Sequence, residues 1–134
     1  MPKIDKAAAP RGEGTRYPAP FDVPCQKRTW HRLGDAADLT QFGVNLLRLP
    51  PGAWSSQRHW HAHEDEFVYV LDGEVVLLTD AGEEILRAGD CAAFKAGMER
   101  PRARHRHRAV DPERLGRAPP VTACAGADGR SIRR

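Results

Sequence analysis

The sequence predicts an all-β domain, a sandwich or barrel of short strands, and three observations carry that reading. From Arg28 to Gly97 the chain runs in short stretches of β-branched and aromatic residues, punctuated by Gly, Asp and Pro about every 8–12 residues. No stretch keeps a sustained helical period. The length of 134 residues allows one domain, large enough to bury a core without disulfide staples.

The elements follow in order. Residues 1–24 carry Pro2, Pro10, Pro18, Pro20 and Pro24 and read as an extended arm draped on the domain, or as disorder. Residues 28–33 form a first strand candidate, residues 35–39 a single helical turn, and residues 42–49 a second strand stopped by Pro50-Pro51-Gly52. Residues 54–61 alternate, with Trp54, Ser56, Arg58 and Trp60 on one side and Ser55, Gln57, His59 and His61 on the other. Residues 66–71 form a strand that Asp72-Gly73 turns back as a hairpin into residues 74–79. Asp80-Ala81-Gly82 turns into residues 83–87, and Ala88-Gly89-Asp90 into residues 91–94. Trp54, Trp60, Phe67 and Tyr69 are read as wall and core residues, and Arg58 as a surface charge.

At Met98 the text changes. Residues 98–134 contain no Phe, Trp or Tyr, and no alternation supports a strand there. The net charge of +3 also divides at this point. Residues 1–97 hold 11 basic and 14 acidic residues, whereas residues 98–134 hold 10 arginines and 4 acids. The body is therefore mildly acidic, and a nucleic-acid surface is not expected of it. The run Arg102–Arg108 is basic but lacks interleaved aromatics, which disfavours a nucleic-acid arm. The chain is organised as an arm over 1–24, a barrel over 25–97 and an Arg-rich segment over 98–134. No apolar run is long enough for a membrane helix, and the first nine residues lack the apolar stretch of a secretory signal. Three cysteines (Cys25, Cys91 and Cys124) without a C-x-x-C pair fit reduced thiols, so a cytoplasmic location is expected.

The chemistry concentrates at His59, His61 and Glu66. Two histidines spaced two apart on a strand share a face, about 6–7 Å apart along the chain. A carboxylate arriving from the next strand can complete a set of three donors on one divalent ion: Fe, Mn, Ni or Zn. His63 has the same parity and is an alternative donor, although Glu66 already fits the register of the other two, so His63 is read as a spectator at the mouth. Asp65 is read as a solvated or supporting carboxylate.

The run Gly52-Ala53-Trp54-Ser55-Ser56-Gln57-Arg58-His59-Trp60-His61, then Glu66, then Gly73, resembles the first cupin motif. Four residues separate His61 from Glu66 and six separate Glu66 from Gly73, as that motif has them; the gap from Gly52 to His59 is one residue longer. Gly89, with Lys95 in the proline position and Gly97 beyond, is similar to the first half of the second motif. The resemblance implies a double-stranded β-helix, or jelly-roll barrel, incomplete at its C-terminal end, with His59, His61 and Glu66 as ligands of a central metal ion. It implies a small-molecule ligand, carboxylate or sugar-like, handled either by a metal-dependent enzyme (oxygenase, isomerase or lyase) or by a non-catalytic binding or sensor module; a damaged, inactive domain is the third reading. Pairing of such small domains through exposed edges implies a homodimer, with residues 10–24 as the segment to reach a neighbour.

The same resemblance implies a fourth ligand, a histidine shortly after Gly97. Arg100 and Arg102 stand there instead, and His105 and His107 come later. Read one base later, codons for Glu99-Arg100-Pro101 can encode Asn-Gly-His, the element such small domains carry at this place. The Arg-rich segment is thus either a native arm or the product of a shifted reading frame from about residue 98. The nucleotide sequence distinguishes them. A shift predicts an open, β-patterned continuation in the other frame, and early stop codons there would leave the segment native.

Overall fold

The computed structural model describes residues 3–97 and, as backbone, residues 106–109 and 121–126. Among them nine strands form: β1 (Arg11–Glu13), β2 (Thr29–Arg32), β3 (Asn45–Leu49), β4 (Glu66–Asp72), β5 (Glu74–Thr79), β6 (Gly82–Arg87), β7 (Cys91–Phe94), β8 (Arg106–Ala109) and β9 (Val121–Gly126). They make a six-stranded sheet in the order β1-β2-β3-β9-β4-β7 and a three-stranded sheet in the order β6-β5-β8. Every pairing is antiparallel. Short 3₁₀ turns at Val23–Cys25 and Asp35–Ala37 are the helical content of the described residues.

The two sheets close on an aliphatic core. Leu49 and Val70 come from the larger sheet and Val75, Leu77 and Leu86 from the smaller, with Leu47, Ala92 and Phe94 packed against them. Strand β4 shows how the pattern works. Its alternation buries Glu66, Val68 and Val70 and leaves Phe67, Tyr69 and Leu71 on the outer face. Tyr69 is 39% exposed and Phe67 48%, so the two aromatics are not core, as the sequence reading has them. β-branched valine fills the narrow interior, and the rings take the side with room.

The Asp72-Gly73 pair does not make the hairpin the sequence suggests. Strands β4 and β5 it joins lie in different sheets, so the pair is a corner at which the chain changes sheet. Gly73 has φ +76°, which a side chain rarely adopts and which lets the chain turn within one residue. The second corner, Ala88-Gly89-Asp90, packs against the first. The Ala88 N–H donates to Gly73 O at 3.1 Å, the Gly89 N–H to Val70 O at 2.9 Å, and the Val70 N–H to Asp90 O at 3.0 Å. The true hairpin is β5–β6, where Thr79 pairs with Gly82 across Asp80 and Ala81. Corners that switch sheets are how a jelly roll closes, and turn chemistry alone does not tell a corner from a hairpin.

Two further readings are corrected. Residues 54–61 are not a strand; within them Trp54 and His59 make only isolated bridges. Beyond Met98, where no strand is predicted, β9 lies between β3 and β4 and β8 pairs with β5. Ladder bonds use backbone groups that every residue but proline carries, and β9 finds them on both sides whatever its side chains. The choice between a native and a frame-shifted segment turns on residues most of which, with Arg100, Arg102 and His105, lie outside the described residues. Within the arm, β1 pairs with β2 and extends the large sheet at its edge.

Leu49, 1% exposed, and Leu71, 49% exposed, provide a matched test of this core. Leu49→Ala should cost about 2–5 kcal/mol in chemical denaturation, and Leu71→Ala less than about 1 kcal/mol.

Candidate metal centre

Glu66 opens β4 with the same inward parity as Val68 and Val70, so its carboxylate lies at the end of the core rather than in solvent. Its strand partner is Phe94 on β7. The connection from His61 to Glu66 is clamped to the segment after β7. The Gly97 N–H donates to His61 O at 3.1 Å and the Ala96 N–H to the Asp65 carboxylate at 2.7 Å. Asp65 therefore has a definite task, which is to fix the residues between the histidines and the glutamate.

The two imidazoles converge on that carboxylate. Nε2 of His61 lies 3.1 Å from Glu66 Oε2 and Nε2 of His59 lies 3.5 Å from it. The rings meet edge to face, centroids 4.9 Å apart. One donor atom from each residue falls within 4.8 Å of the others. Ligands about 2.0–2.2 Å from a shared ion, at tetrahedral or octahedral angles, lie roughly 3.0–3.5 Å apart, so the donors fit a first-row divalent ion. The carboxylate is buried while the histidine side chains stay 32% and 24% exposed, so the site opens on the imidazole side. His63 is exposed and stands outside this group.

The far nitrogen of His59 is also fixed. Nδ1 lies 2.9 Å from Gln57 O and 3.1 Å from Ser56 Oγ. A carbonyl oxygen only accepts, so Nδ1–H donates to Gln57 O, and Nε2 is the nitrogen that faces the Glu66 carboxylate, to which it donates when protonated and beside which it would offer its electron pair to an ion. Burial pushes the His59 pKa down and the Arg28 charge acts the same way. The hydrogen bond and charge of Glu66, helped by the Gln57 carbonyl, outweigh them and leave it above the ordinary imidazole value. For His61, Nδ1 lies 3.7 Å from Glu64.

Behind the centre stand groups that the sequence reading passed over. Ser56 is buried with its hydroxyl on His59. Arg28 donates from Nε to Gly14 O at 2.9 Å and from Nη1 to Ser55 O. Tyr17 is hydrogen-bonded to the Gln57 backbone; burial raises its pKa, and it also feels the charges of Arg28, Cys25 and Glu66. Ser56 lies inside the motif run but at none of its fixed positions, and Tyr17 and Arg28 are distant in sequence and meet the site only in three dimensions. Arg58 pairs with Asp80 on the β5–β6 hairpin, and Trp54 and Trp60 are half-buried.

A family model described as the Cupin domain matches residues 45–115, a span that runs past Met98. No curated protein sequence matches the chain. Among solved structures, a cupin-superfamily sugar phosphate isomerase from Silicibacter pomeroyi DSS-3 is 42% identical over 94% of this chain and 75% of its own, with a TM-score of 0.81. A protein from Acidithiobacillus ferrooxidans, provisionally described as a sugar phosphate isomerase, is 28% identical over 75% of this chain, at a TM-score of 0.60; the chain spans 58% of its length. The polyketide cyclase RemF from Streptomyces resistomycificus, 20% identical with a TM-score of 0.63, shares the fold. A family model covering just over half of the chain and a relative 42% identical over nearly all of it agree with the His59–His61–Glu66 cluster at the barrel mouth: the chain is a member of the cupin superfamily.

Proposed function

We propose that the chain holds one divalent first-row ion on His59, His61 and Glu66 and binds at it a small polar molecule of the sugar-phosphate or carboxylate kind. The observation that carries this reading is the convergence of three donors of different residues on one point at an open end of the barrel. The resemblance to the Silicibacter pomeroyi sugar phosphate isomerase supports the substrate class and an isomerase-type reaction. A bound ion would supply Lewis acidity to a hydroxyl or carbonyl oxygen of the ligand. The chain's own residues do the rest. Gln57 and Ser56 fix the His59 ring, Glu66 neutralises charge from the buried side, and the half-exposed imidazoles leave the ligand's face of the site open.

A non-catalytic binding or sensor role is the second reading. Among the described residues the fully buried polar or charged side chains, Ser56 and Glu66, are both engaged with the histidines, and the half-buried Tyr17 is the further group behind them that could act as acid or base.

Elemental analysis followed by isomerase assays with sugar phosphates, and equilibrium binding of the same compounds, tests both readings. The native chain should carry close to one equivalent of metal. His61→Ala and Glu66→Gln should each lower metal affinity at least tenfold and leave the core folded. Protons compete for His59, whose proton affinity is raised, so the metal should be released as the pH falls from 8 through about 6.5. Retention unchanged by either substitution, or independent of pH over that range, overturns the assignment. Binding of sugar phosphates without turnover selects the sensor reading.

We further propose a homodimer. The arm caps its own sheet at β2, which leaves the apolar stripe Phe67, Tyr69 and Leu71 on the outer face of β4 as the surface to be covered. Light scattering at micromolar concentration should give twice the chain mass, and Phe67→Lys should halve it; a monomeric native chain removes the idea.

A further inference from the structure

The segment that carries His59 lacks the support its sequence leads one to expect. Between β3 and β4 the chain makes no ladder over residues 55–58, yet His59 must present Nε2 to Glu66 within a few tenths of an ångström for a shared ion. Contacts from residues 14–28 hold this loop. The Trp54 N–H donates to Pro24 O at 2.9 Å. The Arg28 guanidinium donates to Ser55 O, and through Nε to Gly14 O at 2.9 Å, while the Gly14 N–H returns a bond to Arg28 O at 2.8 Å. Gln57 Nε2 donates to Phe21 O at 2.6 Å, and the Gln57 backbone is bonded to Tyr17. Trp54, Ser55 and Gln57 are thus each tied to the arm, and on the other side of the same loop Ser56 and Gln57 hold His59 Nδ1.

We propose that residues 14–28 are a working part of the metal centre: they hold the loop over residues 54–57 so that the Gln57 carbonyl accepts the hydrogen bond from His59 Nδ1–H and Nε2 faces Glu66. This rests on the metal-binding reading above for its consequence, though not for its geometry. Arg28 and Gln57 are positioning residues. Arg28 suits the task because it is largely withdrawn from water and forms no ion pair among the described residues; its donors go to two carbonyls from different segments, which fixes their separation. A planar guanidinium does this with a set geometry that a lysine cannot match.

The experiment measures two quantities on the full chain. The first is the affinity for Zn²⁺ by chelator competition; the second is the His59 ring tautomer in metal-free protein, from ¹⁵N shifts of the imidazole. Native protein should show Nδ1 protonated. Arg28→Gln should weaken Zn²⁺ binding about 10–100-fold and mix the tautomers, and Gln57→Ala, which removes a half-buried clamp only, should do so more mildly. In a His59→Ala background neither substitution should weaken binding further, because both act through that ring. If Arg28→Gln does not fold, Gln57→Ala carries the same test. Affinity and tautomer both unchanged, or equal weakening with and without His59, overturns the proposal. Native protein that takes up no Zn²⁺ removes the metal-binding reading instead, and the tautomer of His59 in the two variants still decides this one.

Discussion

The rest of this structure is arranged around one buried carboxylate. Glu66 is 8% exposed, at the inner end of a strand whose other inward residues are valines. An ionised carboxylate in such a place is costly unless it is paired and hydrogen-bonded. Two imidazole nitrogens at 3.1 and 3.5 Å meet that requirement without metal, by sharing protons with it. The same two nitrogens and the carboxylate could instead surround an ion. Burial lowers the His59 pKa, and the hydrogen bond and charge of Glu66 outweigh it, so the pairing leaves its mark on the ring.

Placing Glu66 depends on the two corners at Asp72-Gly73 and Ala88-Gly89-Asp90. They send β5 and β6 to the smaller sheet and return β7 to the larger, where Phe94 pairs with Glu66. The hydrogen bonds between the corners lock β4 in its register against β7. A one-residue slip of β4 would put Phe67 inside and turn Glu66 to solvent, so the register that forms the core is the same one that forms the site.

The sequence made the donors legible and left their support obscure. His59, His61 and Glu66 are singled out by their spacing together with the resemblance of the surrounding run to the first cupin motif. The stated reason, a shared strand face, is not the operative one: residues 54–61 have alternating text but form a loop braced from outside. The strands from β2 to β7 were readable from their apolar runs and Gly/Asp breaks, to within three residues. Which sheet each joined was not, since Asp72-Gly73 serves a corner as well as a hairpin. Strands β8 and β9 were invisible because their pairing depends on neighbours distant in sequence, with β9 held between β3 and β4. Phe67 and Tyr69 misled for a related reason: hydrophobicity says that a ring prefers cover, not which face of the sheet supplies it.

Support and chemistry thus come from different parts of the chain. The barrel supplies the carboxylate through strand parity, a property that tolerates many sequences as long as the alternation holds. The loop that carries His59 is tied by hydrogen bonds to residues 14–28. His59 on its loop stays half-exposed, while the Arg28 and Gln57 contacts tie that loop to residues 14–28 as a ladder would tie a strand.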